Sequence, residues 1–124
     1  MHELSVCQSL LGQIELTARQ HHASRVHRVS LKIGPLSGVE PQLLQQAFPI
    51  AVAGSIAETA TLDIELLPIR LECRQCGAES EAAAANQLIC GQCGHWQTRL
   101  LSGDEMLLAS LELDRPTDEQ TVNG

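Results

Sequence analysis

Apolar and polar positions alternate along the chain with two periods, and the changes of period mark its elements. Over the first twenty residues Leu4, Cys7, Leu11, Ile14 and Ala18 recur at helical spacing, while Gln8, Gln13, Glu15 and Arg19 take the other side. That pattern predicts an amphipathic helix ending near Gln20. Glu3 falls in its first turn, where a negative charge suits the helix dipole. Cys7 lies on the apolar stripe and reads as a small buried hydrophobe. From Val26 to Ile33 the period drops to two, with Val29, Leu31 and Ile33 facing away from Arg28, Ser30 and Lys32, as in a half-buried strand. Gly34-Pro35 ends it. Pro41 then fits the first position of a second helix, with Glu40 before it and a stripe of Leu44, Ala47, Phe48 and Ala51. Pro49 removes a backbone donor and predicts a kink or an early stop. Leu62, Ile64 and Leu66 alternate with Asp63 and Glu65 in a second strand, whose pairing Pro68 limits. After Gly103-Asp104, a third strand sets Leu107, Ala109, Leu111 and Leu113 against Leu108, Ser110 and Glu112.

These elements predict an α+β fold: a small three-stranded sheet covered by two helices, with a cysteine-bearing module inserted before the last strand. The division expected is 1–69 for the first part of the α/β domain, 70–103 for the module and 104–114 for the last strand. Residues 115–124 form a polar, unpatterned tail expected to be disordered.

The module contains two pairs, Cys73-Arg74-Gln75-Cys76 and Cys90-Gly91-Gln92-Cys93. A CxxC pair puts two thiolates on one tight turn, and a second pair completes a tetrahedron around one ion, which suits Zn²⁺. Two disulfides are the alternative. The N-terminus lacks a basic segment followed by a long apolar run, so the sequence reads as cytoplasmic, where paired CxxC motifs are metal ligands more often than disulfides. Four thiolates fill a tetrahedral ion and leave no place for water or substrate, so the expected site is a structural, zinc-ribbon-like clamp. Gly77, Gly91 and Gly94 are placed to let the backbone turn behind the sulfurs. His95 reads as an outer hydrogen-bond partner or an exposed imidazole, with exchange for a cysteine at low pH as the sharper alternative. His21 and His22, at the expected helix end, point in different directions and read as a solvated terminus.

Composition narrows the function classes. The 124 residues are 44% hydrophobic, with one Phe, one Trp and no Tyr, so any core is aliphatic. No apolar run approaches the roughly 20 residues of a membrane span. Eight basic residues stand against 15 acidic ones, a net charge of −7. A nucleic-acid-binding ribbon would need clustered cations and aromatic platforms. A metalloenzyme would need an open metal position beside a base, and no His/Glu constellation of that kind is present.

The start of the chain carries a second metal-binding pattern. In Met1-His2-Glu3 the α-amine, the His2 imidazole and the intervening backbone nitrogens can close small rings around one ion. Such a planar, all-nitrogen set suits Ni(II) or Cu(II) better than zinc. Binding displaces protons, so it weakens as pH falls.

Three stretches carry a resemblance. Met1-His2-Glu3-Leu4-Ser5-Val6-Cys7-Gln8-Ser9-Leu10 resembles the opening of the HypA/HybF family of hydrogenase nickel-incorporation proteins. Lys32-Ile33-Gly34-Pro35-Leu36-Ser37-Gly38-Val39-Glu40-Pro41 is similar to its next segment. The paired CxxC motifs and Ser102-Gly103-Asp104-Glu105-Met106 through Leu113 follow in order. The resemblance implies a nickel metallochaperone for [NiFe]-hydrogenase maturation rather than an enzyme. It implies that transferred Ni(II) is held by the Met1 amine, the His2 and Glu3 backbone amides and the His2 imidazole. It implies structural Zn(II) on Cys73, Cys76, Cys90 and Cys93. The partners it implies are a HypB-type GTPase and the hydrogenase large subunit, with urease served by some members, and neither nucleic acid nor membrane. The rival readings are a zinc-ribbon adaptor and a nucleic-acid-binding protein without nickel transfer.

Overall fold

The computed structural model describes residues 2–115. Two helices and six strands follow in the order α1 (His2–Gln20), β1 (Arg25–Ile33), α2 (Pro41–Val52), β2 (Thr61–Leu66), β3 (Arg70–Cys73), β4 (Glu79–Glu81), β5 (Thr98–Ser102) and β6 (Met106–Asp114). The strands form two three-stranded sheets, ordered β2-β1-β6 and β4-β3-β5. The described chain divides into two compact units. One takes in the residues up to Leu31, Glu40–Ile64 and those from Leu108 on; the other takes in Lys32–Val39 and Glu65–Leu107.

In the first unit α1 packs on α2. The buried side of α1 is Cys7, Leu10, Ile14 and Ala18, joined by Glu3 at its start. The expected stripe ran through Leu4 and Leu11; both are only half-buried, and Leu10 takes the centre. Adjacent helix positions lie 100° apart, so the apolar side of the sequence left that choice to the packing partner. Each fully buried aliphatic side chain contributes about 1.5–3 kcal/mol. The helix ends in an αL cap: His22 has φ 56, its N–H reaches the Arg19 carbonyl, and Ala23 N–H reaches Ala18 at 2.8 Å. α2 begins at Pro41 after an extended Glu40 and buries Leu44, Phe48 and Val52. It does not stop at Pro49 but runs on to Val52. Gln45, whose carbonyl loses its donor, and Pro49 are both exposed, so water can satisfy that carbonyl.

β1 is the central strand of its sheet, and its hydrogen bonds fix both neighbours. Ser24 N–H bonds the Asp114 carbonyl and Gly34 N–H the Glu105 carbonyl, so β6 runs antiparallel to it. Leu67 N–H bonds the Ile33 carbonyl while Arg28 pairs with Asp63, so β2 runs parallel, as a crossover through α2 requires. The bonds to β6 span ten steps of β1 but nine of β6. The extra residue falls where His27 and Arg28 both turn away from the core between buried Val26 and Val29. The alternation expected for β6 holds only at its far end. Leu107 is 48% exposed, Ala109 and Ser110 are both exposed, and Leu108, Leu111 and Leu113 are half-buried. Leu66 of β2, expected to face the core, is 62% exposed.

In the second unit β3 pairs antiparallel with β4 on one side and β5 on the other. Leu71, Ile69 and Ile33 are its buried aliphatics. The loop after β1 lies directly on the turn before β6: Leu36 N–H bonds the Gly103 carbonyl at 2.7 Å, and a Cβ on Gly34 would fall 2.1 Å from that oxygen. Gly103 has φ 120 and lies against Ile69. Only glycine meets both conditions there. Of the expected polar tail, residues 116–124 lie outside the described residues.

Candidate metal centre

Two turns of nearly the same construction hold the cysteines. In the first, Cys73 N–H bonds the Ala78 carbonyl and Gly77 N–H returns to Cys73; in the second, Cys90 N–H bonds His95 and Gly94 N–H returns to Cys90. Gly77 and Gly94 both have φ near 77, so each turn closes through a left-handed glycine; Gly91 does not have a positive φ. Inside each turn two N–H groups point at the leading sulfur: Gln75 and Cys76 at Cys73 Sγ, Gln92 and Cys93 at Cys90 Sγ. The turns face each other. Cys73 Sγ lies 3.6 Å from Cys93 Sγ, Cys76 Sγ lies 3.6 Å from Cys90 Sγ, and all four sulfurs fall within 4.8 Å of one another.

The spacing tests the fit. A tetrahedral zinc with bonds of about 2.3 Å has sulfur–sulfur edges of about 3.8 Å. The 3.6 Å edges match it and exceed by far the roughly 2.05 Å of a disulfide. The thiols also respond to one another. The Cys93 and Gln92 amides bring the Cys90 thiol down to about 6, and the Cys76 amide, then that of Gln75, lower Cys73. For Cys93 the His95 amide favours the thiolate, but desolvation and the three neighbouring thiols outweigh it and push the group up to about 12. At Cys76 the Ala78 amide also favours the thiolate, but desolvation and the Cys90 and Cys73 thiols outweigh it and shift the group upward. Four sulfurs this close can all ionise only around a dication, and this donor set fits the coordination of one. Among the described residues it is the one cluster of three or more metal-ligating side chains.

The other expected site lies at the start of α1. Met1 is outside the described residues. His2 opens the helix and is exposed. Glu3 points inward, 8% exposed, and its Oε2 accepts the Glu40 N–H at 3.1 Å, tying the start of α1 to the N-cap of α2. From the sequence the Glu3 side chain had only a dipole role, beside the ligand role of its backbone amide; its contact with Glu40 is 37 residues away and left no local signal. His21 and His22 remain at the far end of α1, and His95 sets its ring against Gln97 and Trp96.

The Glu40 amide bond, ahead of the other contributions, holds the Glu3 carboxyl below its usual 4.5. A lowered folded value means the stabilisation is complete above pH 4.5 and is lost as pH falls through the folded value. Urea unfolding of wild type and Glu3→Gln, followed by helix circular dichroism, is expected to show wild type more stable at about pH 6 and the two converging towards about pH 3.

Comparison with known proteins places the whole arrangement. The family described as hydrogenase/urease nickel incorporation, metallochaperone, hypA matches residues 1–113. The chain belongs to the HypA family. A hydrogenase maturation factor HypA of Nitrosospira multiformis is 49% identical over 113 residues, covering 91% of this chain and 97% of that one. One of Aquifex aeolicus is 46% identical, covering 92% and 98%. The solution structure of the Ni metallochaperone HypA from Helicobacter pylori superposes with a TM-score of 0.66 at 31% identity, covering 91% of this chain and 97% of that one. HypA-family membership makes the chain a hydrogenase/urease nickel-incorporation metallochaperone by family, and the four-cysteine cluster a metal-binding site within that fold. No helix among the described residues is long and apolar enough to cross a membrane.

Proposed function

We propose that the chain carries Ni(II) at its N-terminus and delivers it to the large subunit of a [NiFe]-hydrogenase, working with a HypB-type GTPase in the cytoplasm. The donors are the Met1 amine, the backbone nitrogens of His2 and Glu3, and the His2 imidazole. The observation that carries this reading is the position of His2 and Glu3 in the first turn of α1, with His2 exposed. First-turn amides have no intrahelical acceptor, so nickel can take the place of their protons without breaking a helix bond. Glu3's carboxylate, engaged with Glu40, fixes the end of the helix from which those nitrogens project. Zn(II) on Cys73, Cys76, Cys90 and Cys93 is structural, since a closed tetrahedral set leaves no coordination site for chemistry. The protein is a carrier and not an enzyme: an exposed ligand set at a chain end can pass its ion by stepwise exchange.

A nucleic-acid-binding role is the weaker reading because two of the three arginines of the cysteine module are engaged with carboxylates. Arg99 donates through Nε and Nη2 to Glu72 at 3.1 and 2.8 Å, and Arg70 lies 3.5 Å from Glu79. A zinc-only adaptor is separated from the carrier by nickel titration. Calorimetry on protein beginning at Met1 is expected to show one tight nickel site, and protein extended by a single glycine before Met1 is expected to lose it while keeping its zinc. Equal nickel affinity in the two proteins sinks the proposed site.

A further inference from the structure

The two cysteine turns are alike within themselves but are held to the rest of their unit differently. In the first, the N–H of Arg74, just after Cys73, bonds the backbone carbonyl of Gln97 at 3.0 Å. In the second, the equivalent N–H of Gly91 bonds the side-chain hydroxyl of Ser80 at 3.0 Å. A second hydroxyl, Thr98 Oγ1, donates to the Leu88 carbonyl at 2.9 Å, just before Cys90. The limb between β4 and the second turn has no strand; its one bridge, Ala84 to Gln87, is internal. The first turn, by contrast, continues directly from β3, which is paired on both sides.

We infer that Ser80 and Thr98 are positioning residues for the metal centre, and that the Cys90–Cys93 half is the one that opens first when the metal is withdrawn. Removing the metal leaves the first turn anchored by backbone bonds and β3. The second turn still runs on into β5, but its own Gly91 N–H and the Leu88 carbonyl on its leading limb are held only by the Ser80 and Thr98 hydroxyls. Gly91 suits this role, because a Cβ there would come 3.2 Å from Ser80 Cβ and wedge the hydroxyl from its donor. Outer partners of metal ligands set metal affinity by about 10–100-fold when removed, which is the scale expected here.

The inference rests on the four-cysteine metal reading, so the test begins by measuring bound zinc. It then records the cobalt-substituted spectrum of each variant, since the sulfur-to-cobalt bands show that a tetrahedral four-sulfur site has formed. Zinc withdrawal by excess chromophoric chelator is followed in the full chain with pulsed alkylation and mass spectrometry. Each turn has one buried and one exposed thiol, Cys73 with Cys76 and Cys90 with Cys93. Comparing Cys93 with Cys76, and Cys90 with Cys73, therefore removes the bias of exposure. Cys90 and Cys93 are expected to be labelled ahead of their counterparts. Ser80→Ala and Thr98→Val are expected to speed zinc release about tenfold. Thr98→Ser, which keeps the hydroxyl, and Gln97→Ala, which keeps the carbonyl bonded to Arg74, are expected to release zinc at the wild-type rate. Simultaneous labelling of the two pairs, earlier labelling of Cys73 and Cys76, or unchanged release in Ser80→Ala and Thr98→Val overturns the inference. Absence of zinc and of the cobalt bands in wild type would instead refute the metal reading beneath it.

Discussion

Cys90→Ser is expected to abolish zinc binding and unfold the second unit, while the helix pair of the first stays folded. The second unit has little else to hold it. Its buried aliphatics are Ile33, Ile69 and Leu71, and two more of its buried side chains are Cys73 and Cys90 themselves. Three aliphatic side chains supply about 5–9 kcal/mol, taken at about 1.5–3 kcal/mol each. A structural zinc supplies about 10–16 kcal/mol of apparent binding free energy that appears as folding free energy. The proposed zinc would therefore contribute more than the aliphatic core, and a three-sulfur set would forfeit much of that contribution. The first unit keeps Cys7, Leu10, Ile14, Leu44, Phe48 and Val52 buried between and beneath α1 and α2 without any metal. Hydrogen exchange by mass spectrometry, with zinc measured in parallel, distinguishes the two units. Peptides covering Arg70–Ser102 should lose protection and those of α1 should keep it. Full protection of Arg70–Ser102 in zinc-free Cys90→Ser would show that the sheet folds without its clamp.

What the sequence disclosed, and what it withheld, follows the range of the interactions. The CxxC spacing is local, so the four candidate ligands could be named before any fold was known, and their sulfurs do converge. The ends of α1 and the start of α2 were legible because Pro41 and the helical period act within one turn. β3, β4 and β5 were not, since runs of three to five residues are too short to show a period against a background of turns. The faces of β1 from Arg28 to Ile33 were legible, but the pairing of His27 with Arg28 on one side and the broken alternation in the first half of β6 were not, because a bulge is set by the partner strand. Glu3 and Ser80 were missed for a related reason. Each does its work on a backbone amide far along the chain, at Glu40 and Gly91, and a lone Glu or Ser carries no mark of that.

His2→Ala is expected to weaken nickel binding by more than about a hundredfold, beyond the 10–100-fold that loss of an outer partner costs, because it removes one of the proposed ligands themselves. Zinc content should not change, since Cys73, Cys76, Cys90 and Cys93 lie in the other unit from His2. The proposed chemistry also sets a pH signature. Each nickel bound through the His2 and Glu3 nitrogens releases two amide protons, so affinity should fall about a hundredfold per pH unit, and more steeply once the amine and imidazole compete for protons as well. A site made of carboxylates and imidazole alone would show a much shallower dependence at neutral pH. Glu3→Gln separates the side chain from the backbone: it keeps both amides and the imidazole but loses the carboxylate that holds the Glu40 amide. It should therefore retain the steep pH slope, with an affinity lowered only by the looser start of α1. Nickel titrations across about pH 6 to 8, where the imidazole and amine titrate, on wild type, His2→Ala and Glu3→Gln decide the matter. A slope near zero in wild type, or undiminished binding in His2→Ala, places the nickel elsewhere; a steep slope in wild type and Glu3→Gln, together with loss in His2→Ala, fixes the ion on the first turn's nitrogens.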